Sequence, residues 1–109
     1  MHQKIFDALK GLGVPVKHQV YKGSEKTYIT FFKPFEQAGL FADNSELATE
    51  HYMQIDLWSK NDLEILLLYE KVRDMLRQNG MDRQDRQDFF ENDTQTYHIA
   101  ITIEVKEVL

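Results

Sequence analysis

The stretch "HYMQIDLWSKND", residues 51–62, alternates apolar and polar side chains and then changes into the start signal of a helix. Successive side chains of a strand point to opposite faces. Met53, Ile55 and Leu57 therefore share one face, and Tyr52, Gln54, Asp56 and Trp58 the other. Ser59 is placed to cap the next helix, and Asp62, three residues on, completes a capping-box-like pair and suits the positive end of a helix. The stretch thus reads as a strand-to-helix corner. It leaves one oddity: the only Trp of the chain, Trp58, falls on the side away from the apolar face. Either Trp58 covers the sheet edge near the helix start, or it anchors an adjacent subunit.

Beyond this corner, the spacing predicts a helix over about 60–78. Ile65, Leu68, Tyr69, Val72 and Leu76 recur at helical intervals and form one buried stripe. Arg73 and Arg77 suit the negative end of the helix, and Gly80 is placed to end it. Leu63, Leu66 and Leu67 lie outside the stripe. One sheet face covers only one stripe, so a second partner surface is expected for them. The chain ends in "TYHIAITIEVKEV" (96–108), where Tyr97, Ile99, Ile101, Ile103 and Val105 alternate with polar or small residues. A long strand with one fully apolar face is expected to be central and to lie across the helix.

Toward the N-terminus, Ile5, Phe6, Leu9 and Leu12 mark a short amphipathic helix over 2–12, ended by Gly11 and Gly13. Strands are expected at 15–21 and 26–33, joined as a hairpin by "KGSE" (22–25). Val14, Val16, His18 and Val20 would share one side of the first. Residues 35–50 show no clear period and read as a long exposed loop, functional or ordered against a partner. Residues 81–93 read as a polar loop or a frayed short strand near 86–91 that docks through Phe89 or Phe90. The expected fold is a single α+β domain spanning 1–109: a mostly antiparallel sheet of four or five strands, one long helix packed on it, and a short N-terminal helix.

Composition narrows the function. The chain has 109 residues, 42% of them hydrophobic, and a net charge of −5. A single core without disulfides or metal is feasible at this size. With no Cys, thiol nucleophiles, disulfides and Cys-based zinc sites are excluded. No basic stripe offsets phosphate charge, which argues against specific nucleic-acid binding; spaced Lys at 17, 22, 26 and 33 is the ordinary pattern of exposed strands. The N-terminus lacks the pattern of a signal peptide, and "ILLLY" (65–69) is far too short to cross a bilayer, so a soluble protein with no membrane role is expected.

No Gly-rich phosphate loop, zincin, nucleophile-elbow or EF-hand pattern occurs. His18, His98 and Asp56 could meet across paired strands, but a metal site would need three ligands from three strands, and a lone strand His is more often a surface residue. Acidic runs at 43–46 and 91–93 are ordinarily solvated. No catalytic residue, metal or cofactor is expected.

The blocks "ADN" (42–44), "YMQIDLWSK" (52–60), "ENDT" (91–94) and "YH" (97–98), in this order and spacing, resemble the tail-completion (tail-terminator) proteins of long-tailed bacteriophages and prophages. That resemblance covers most of the chain. It implies a structural role: a ring of copies, commonly six, on the head-proximal end of the tail tube, ending tube growth and joining tail to head. The implied partners are further copies of the chain, the tail tube protein and head-connector proteins, met first in the host cytoplasm and then in the virion tail. An acidic lumen would let DNA pass without sticking. The physical reading supplies the interface candidates: Phe41, Asp43, Asn44 and Glu46 in the long loop, Trp58, the helix positions Leu63, Leu66 and Leu67, and Phe89 and Phe90. Core packing is the competing explanation for the Phe residues. The competing functions are a small α+β module, dimeric or not, that binds a peptide or small ligand, and an enzyme with a site of dispersed residues.

Overall fold

A computed structural model describes the backbone of residues 2–42 and 45–108, and the side chains of residues 3–34 and 52–104. In chain order the elements are α1 (His2–Leu9), β1 (Val16–His18), β2 (Tyr28–Ala42), β3 (Ser45–Ser59), α2 (Asp62–Gln78), β4 (Gln84–Glu91) and β5 (Thr96–Val108). The strands form one five-stranded sheet in the order β1-β2-β3-β5-β4. All neighbours are antiparallel except β1 and β2, so the sheet is mixed. The expected α+β class, with one long and one short helix, is the observed one.

The corner at 51–62 behaves as its alternation dictates. Met53, Ile55 and Leu57 are fully buried and face Ile99, Ile101 and Ile103 of β5 across the ladder. Both helices lie on this face. Ile65, Leu68, Val72 and Leu76 of α2 close over it, and Ile5 and Leu9 of α1 seal the end beside Val16, Ile29 and Phe31. The sheet has both β3 and β5 in its interior, which is why these two strands carry the most apolar faces.

The helix boundary differs by two residues. The strand runs through Ser59, and the cap is Asn61, whose side chain accepts from the Glu64 amide at 2.9 Å. Ser59 instead accepts from the Asn61 amide and bonds the Thr27 hydroxyl, tying the corner to the start of β2. At the other end Met81 donates to the Leu76 carbonyl and Gly80 to Arg77, with Gly80 at φ 80. This is a Schellman ending, and Met81 is driven fully into the core beside Leu76. A side chain at Gly80 would be held in the left-handed region, so Gly80→Ala should lower stability by about 1–2 kcal/mol in urea unfolding.

Two expectations need correction, and a third is decided between its alternatives. The segment 15–33 is not a hairpin: β1 pairs parallel to β2, Val16 opposite Ile29 and His18 opposite Phe31. Because β1 spans only Val16–His18, the connection 19–27 has little distance to recover before re-entering in the same direction. Gln19, at φ 68, turns the chain out of the sheet with Val20 donating back to the His18 carbonyl, and Val20 ends up exposed. The long loop expected at 35–50 is strand. Apart from the two residues between them, β2 and β3 continue through it as a ladder that ends at Ala42 opposite Ser45. Register shifts between Phe32 and Phe35, Ala38 and Leu40, and Leu40 and Phe41 break the alternation that a sequence pattern relies on, and Pro34 sits inside the first of them, where a missing amide is tolerated. Of the two expectations for 81–93, a polar loop or a short strand near 86–91, the strand is the observed one and is longer: the edge strand β4 pairs with β5 from Gln84–Ile103 to Glu91–Thr96.

Candidate functional site

The register decides what each sheet face offers. Tyr28 pairs with Trp58, Trp58 with His98, and His98 with Phe89, so these four residues form one row across β2, β3, β5 and β4 on the face without helices. Trp58 and His98 stack at 3.9 Å between ring centroids and 7° between planes. Tyr28 lies 6.0 Å on the other side of Trp58, and Tyr21 extends the row at 4.6 Å from Tyr28. Phe89 flanks His98 at 5.4 Å. A Cβ on Gly23 would lie 2.1 Å from the Tyr21 hydroxyl, so only glycine lets the Tyr21 ring fold across here.

Beneath this row sits a polar pair. Asp56 is 5% exposed, and its Oδ1 lies 2.7 Å from Nε2 of His98 and accepts from the Gln54 amide at 2.9 Å. Trp58 donates its indole N–H to the Thr30 hydroxyl at 3.1 Å. The side of β3 that alternation assigns to polar residues is therefore covered, and the cover is the indole itself. Burial raises the Tyr28 phenol above its ordinary value, with Glu91 and then Tyr21 adding to the effect. With both faces of His98 covered by rings and Nε2 held by Asp56, the pair can brace the sheet and retains only Nδ1 for another partner.

Two of the three residues considered as metal ligands thus meet, and the third does not. His18 pairs with Phe31 on the helix-bearing face and leans against its ring at 5.5 Å, whereas His98 lies on the opposite face. Among the described residues no group of three His, Cys, Asp or Glu is placed to hold a metal ion. No described helix is long and apolar enough to cross a membrane.

The interface candidates fall into three places. Leu63, Leu66 and Leu67 lie on the outer side of the first half of α2 and are 67%, 45% and 60% exposed. Leu66 borders a notch of about 190 Å³ shared with Ile65, Phe89, Tyr97 and Ile99, and Leu67 lies toward Leu12 and Val14 on the other flank. Phe89 and Phe90 both remain exposed on the edge strand, Phe89 beside His98 and Phe90 edge-on to Tyr97 at 4.9 Å. Phe41 and Glu46 pair with each other near the tip of the β2–β3 ladder. Asp43 and Asn44 lie outside the described residues. Trp58 has a complete set of partners within its own chain, which the alternation alone could not reveal.

The edge strand also carries a clamp that sequence reasoning missed. Arg86 binds both carboxylate oxygens of Asp88, at 2.6 and 2.7 Å, and stands 4.3 Å over the Tyr69 ring of α2. The bond from Arg86 holds the Asp88 carboxyl below the usual carboxylate range against a smaller opposing effect of burial. Arginine two residues before aspartate on one strand face is the signal that could have found it.

Against this geometry, one family model matches residues 4–106, nearly the whole chain; its description is "Tail completion protein gp17". No curated protein matches the chain.

Proposed function

The chain belongs to the phage tail completion protein gp17 family, and on that premise we propose that it works as a ring of identical copies at the head-proximal end of the tail tube. There it ends tube growth and offers the surface that the head connector meets. The role is structural rather than catalytic. The observation that carries this reading is the exposed apolar set on α2. Leu63, Leu66 and Leu67 stand in water beside the buried stripe of Ile65, Leu68, Val72 and Leu76, in a chain of a tail completion family. A further copy of the chain is the occupant we assign to that surface.

The sheet supports the second half of the proposal. The helices pack against the sheet around Met53–Leu57, while β2, β3 and β5 continue as paired strands to Ala42, Ser45 and Val108. The molecule is 52 Å long and 27 Å wide, and past Ala48 opposite Val108 only β2 and β3 continue among the described residues, as a two-stranded end. We assign that end of the ladder, with Phe41 and Glu46, and the neighbouring residues Asp43 and Asn44 of the sequence, to contact with the tube or the head connector. Its virion location follows from the family; assembly from the host cytoplasm is part of the proposal.

The test separates folding from assembly. Leu66→Glu and Leu67→Glu replace exposed side chains, so thermal midpoints should move by no more than a few degrees. Ring-capped tubes, counted by negative-stain imaging after mixing with tail tube protein, should fall at least tenfold. Unfolding of either variant would place these leucines in the core, and unchanged capping would remove them from the interface.

A further inference from the structure

Sheet order puts β1 at one edge and β4 at the other, and the two edges carry opposite charge. At the first edge, Lys17 on β1 and Lys22 and Lys26 in the connection 19–27 are exposed and make no ion pair among the described residues; the only acid in 15–27 is Glu25. At the other edge, residues 82–93 hold Asp82, Asp85, Asp88, Glu91 and Asp93 against Arg83 and Arg86. Both arginines are already engaged, Arg86 with Asp88 and Arg83 with Glu104. Asp82, Asp85, Glu91 and Asp93 are left exposed and without an ion pair among the described residues. Each edge also carries exposed apolar side chains, Val20 at the basic edge and Phe89 and Phe90 at the acidic one.

Charged residues on edge strands ordinarily keep sheets from joining. That guard works when both edges have one sign. Here like edges repel, β4 against β4 and β1 against β1, while unlike edges attract. The register adds geometry: Lys17 lies opposite Thr30, and Asp85 opposite Thr102, so both lie on the face without helices. We propose that copies of this chain associate head to tail, the acidic β4 edge of one against the basic β1 edge of the next. Phe89 and Phe90 meet the region of Val20 at the centre, and Lys17 and Lys22 face Asp82 and Asp85 at the rim. Such a heterologous contact builds a closed ring when its rotation closes, whereas a contact between like edges stops at a dimer. This inference rests on the ring proposed above and adds the sheet edges to the contact assigned there to Leu63, Leu66 and Leu67.

The absence of Cys from the chain makes the contact testable without background. In the presence of tail tubes and a mild oxidant, the double variant Lys17→Cys/Asp85→Cys should give a covalent ladder on a denaturing gel. A mixture of the two single variants should stop at dimers, and either single variant alone should stay monomeric. Independently, Asp82→Lys/Asp85→Lys should reduce ring-capped tubes at least tenfold, and adding Lys17→Glu/Lys22→Glu in the same chain should restore most of them. Covalent dimers from Asp85→Cys alone would show like edges meeting and overturn the inference. Rings on tube ends with neither a ladder nor a charge-reversal effect would overturn it while leaving the ring intact. Absence of rings from the unaltered protein would overturn both.

Discussion

Asp56→Ala is expected to lower the stability of the protein by about 3 kcal/mol, a large effect for a residue on the sheet face that no helix covers. The carboxylate holds His98 at 2.7 Å and receives the Gln54 amide, beneath the Trp58 indole. A hydrogen bond to a charged group is worth about 1.5–3 kcal/mol, and an orphaned buried partner adds about 1–3 kcal/mol more. Water can reach part of the vacated space from the open face, which holds the sum toward the lower end of that range. His98→Phe should cost a comparable amount, because it leaves the buried carboxylate with Gln54 alone. Asp56→Leu/His98→Phe should cost clearly less than the two single losses combined, since neither partner is then stranded. Trp58 is the only Trp, so urea unfolding followed by its emission reports from the same site. A loss below about 0.5 kcal/mol for Asp56→Ala, or strict additivity in the cycle, would show that the pair does not brace the sheet.

Ile55→Ala should be at least as damaging, at about 3–4 kcal/mol. Ile55 is fully buried at the centre of β3, between Phe31 on β2 and Ile101 on β5, with the helices packed over that face. The three removed carbons lose their transfer free energy, and the surrounding strands cannot close the space because ladders on both sides fix their positions. In a domain of about this length, a loss of 1 kcal/mol lowers the midpoint by roughly 4–8 °C. Thermal unfolding should therefore shift down by roughly 12–30 °C on the same scaling. The corresponding change at Leu66, which is 45% exposed on α2, should shift the midpoint by only a few degrees. That contrast separates the core stripe of α2 from its exposed leucines.

Periodicity was informative where one face of an element is buried and the other is not. Met53, Ile55 and Leu57, the isoleucines of β5, and Ile65, Leu68, Val72 and Leu76 could all be placed because apolar side chains share one side of each element and polar, small or exposed residues the other. It failed at β4, where "QDRQDFFE" has no apolar face. That strand is held by its ladder to β5, and its polar helix-side position Arg86 is satisfied by Asp88 and Tyr69. It failed again in 35–50, where three register shifts break the alternation while the β2–β3 pairing goes on. Turn residues at 22–25 suggest reversal between β1 and β2, whereas the direction is set where β1 stops, at His18, and Gln19 turns the chain out of the sheet.

The aromatic row was illegible for a related reason. Tyr28, Trp58, His98 and Phe89 are separated widely in sequence, and only the registers of three strand pairs bring them into line. The meeting of Asp56 and His98 could be anticipated as one of several pairings, but the burial of that pair under Trp58 could not. Trp58 illustrates the limit of alternation: the pattern shows which side of β3 the indole takes, not that Tyr28 and His98 wait there to sandwich it. The exposed leucines of α2 were easier, because too many apolar positions on one helix already imply a second surface.

Following the growth of tail tubes after adding the purified protein tests the proposed role most directly. Elongation should stop at amounts of protein far below one copy per tube subunit, with a ring visible on one end of each arrested tube. Continued elongation with bare ends, at concentrations where the protein is folded and in excess over tube ends, would contradict that role.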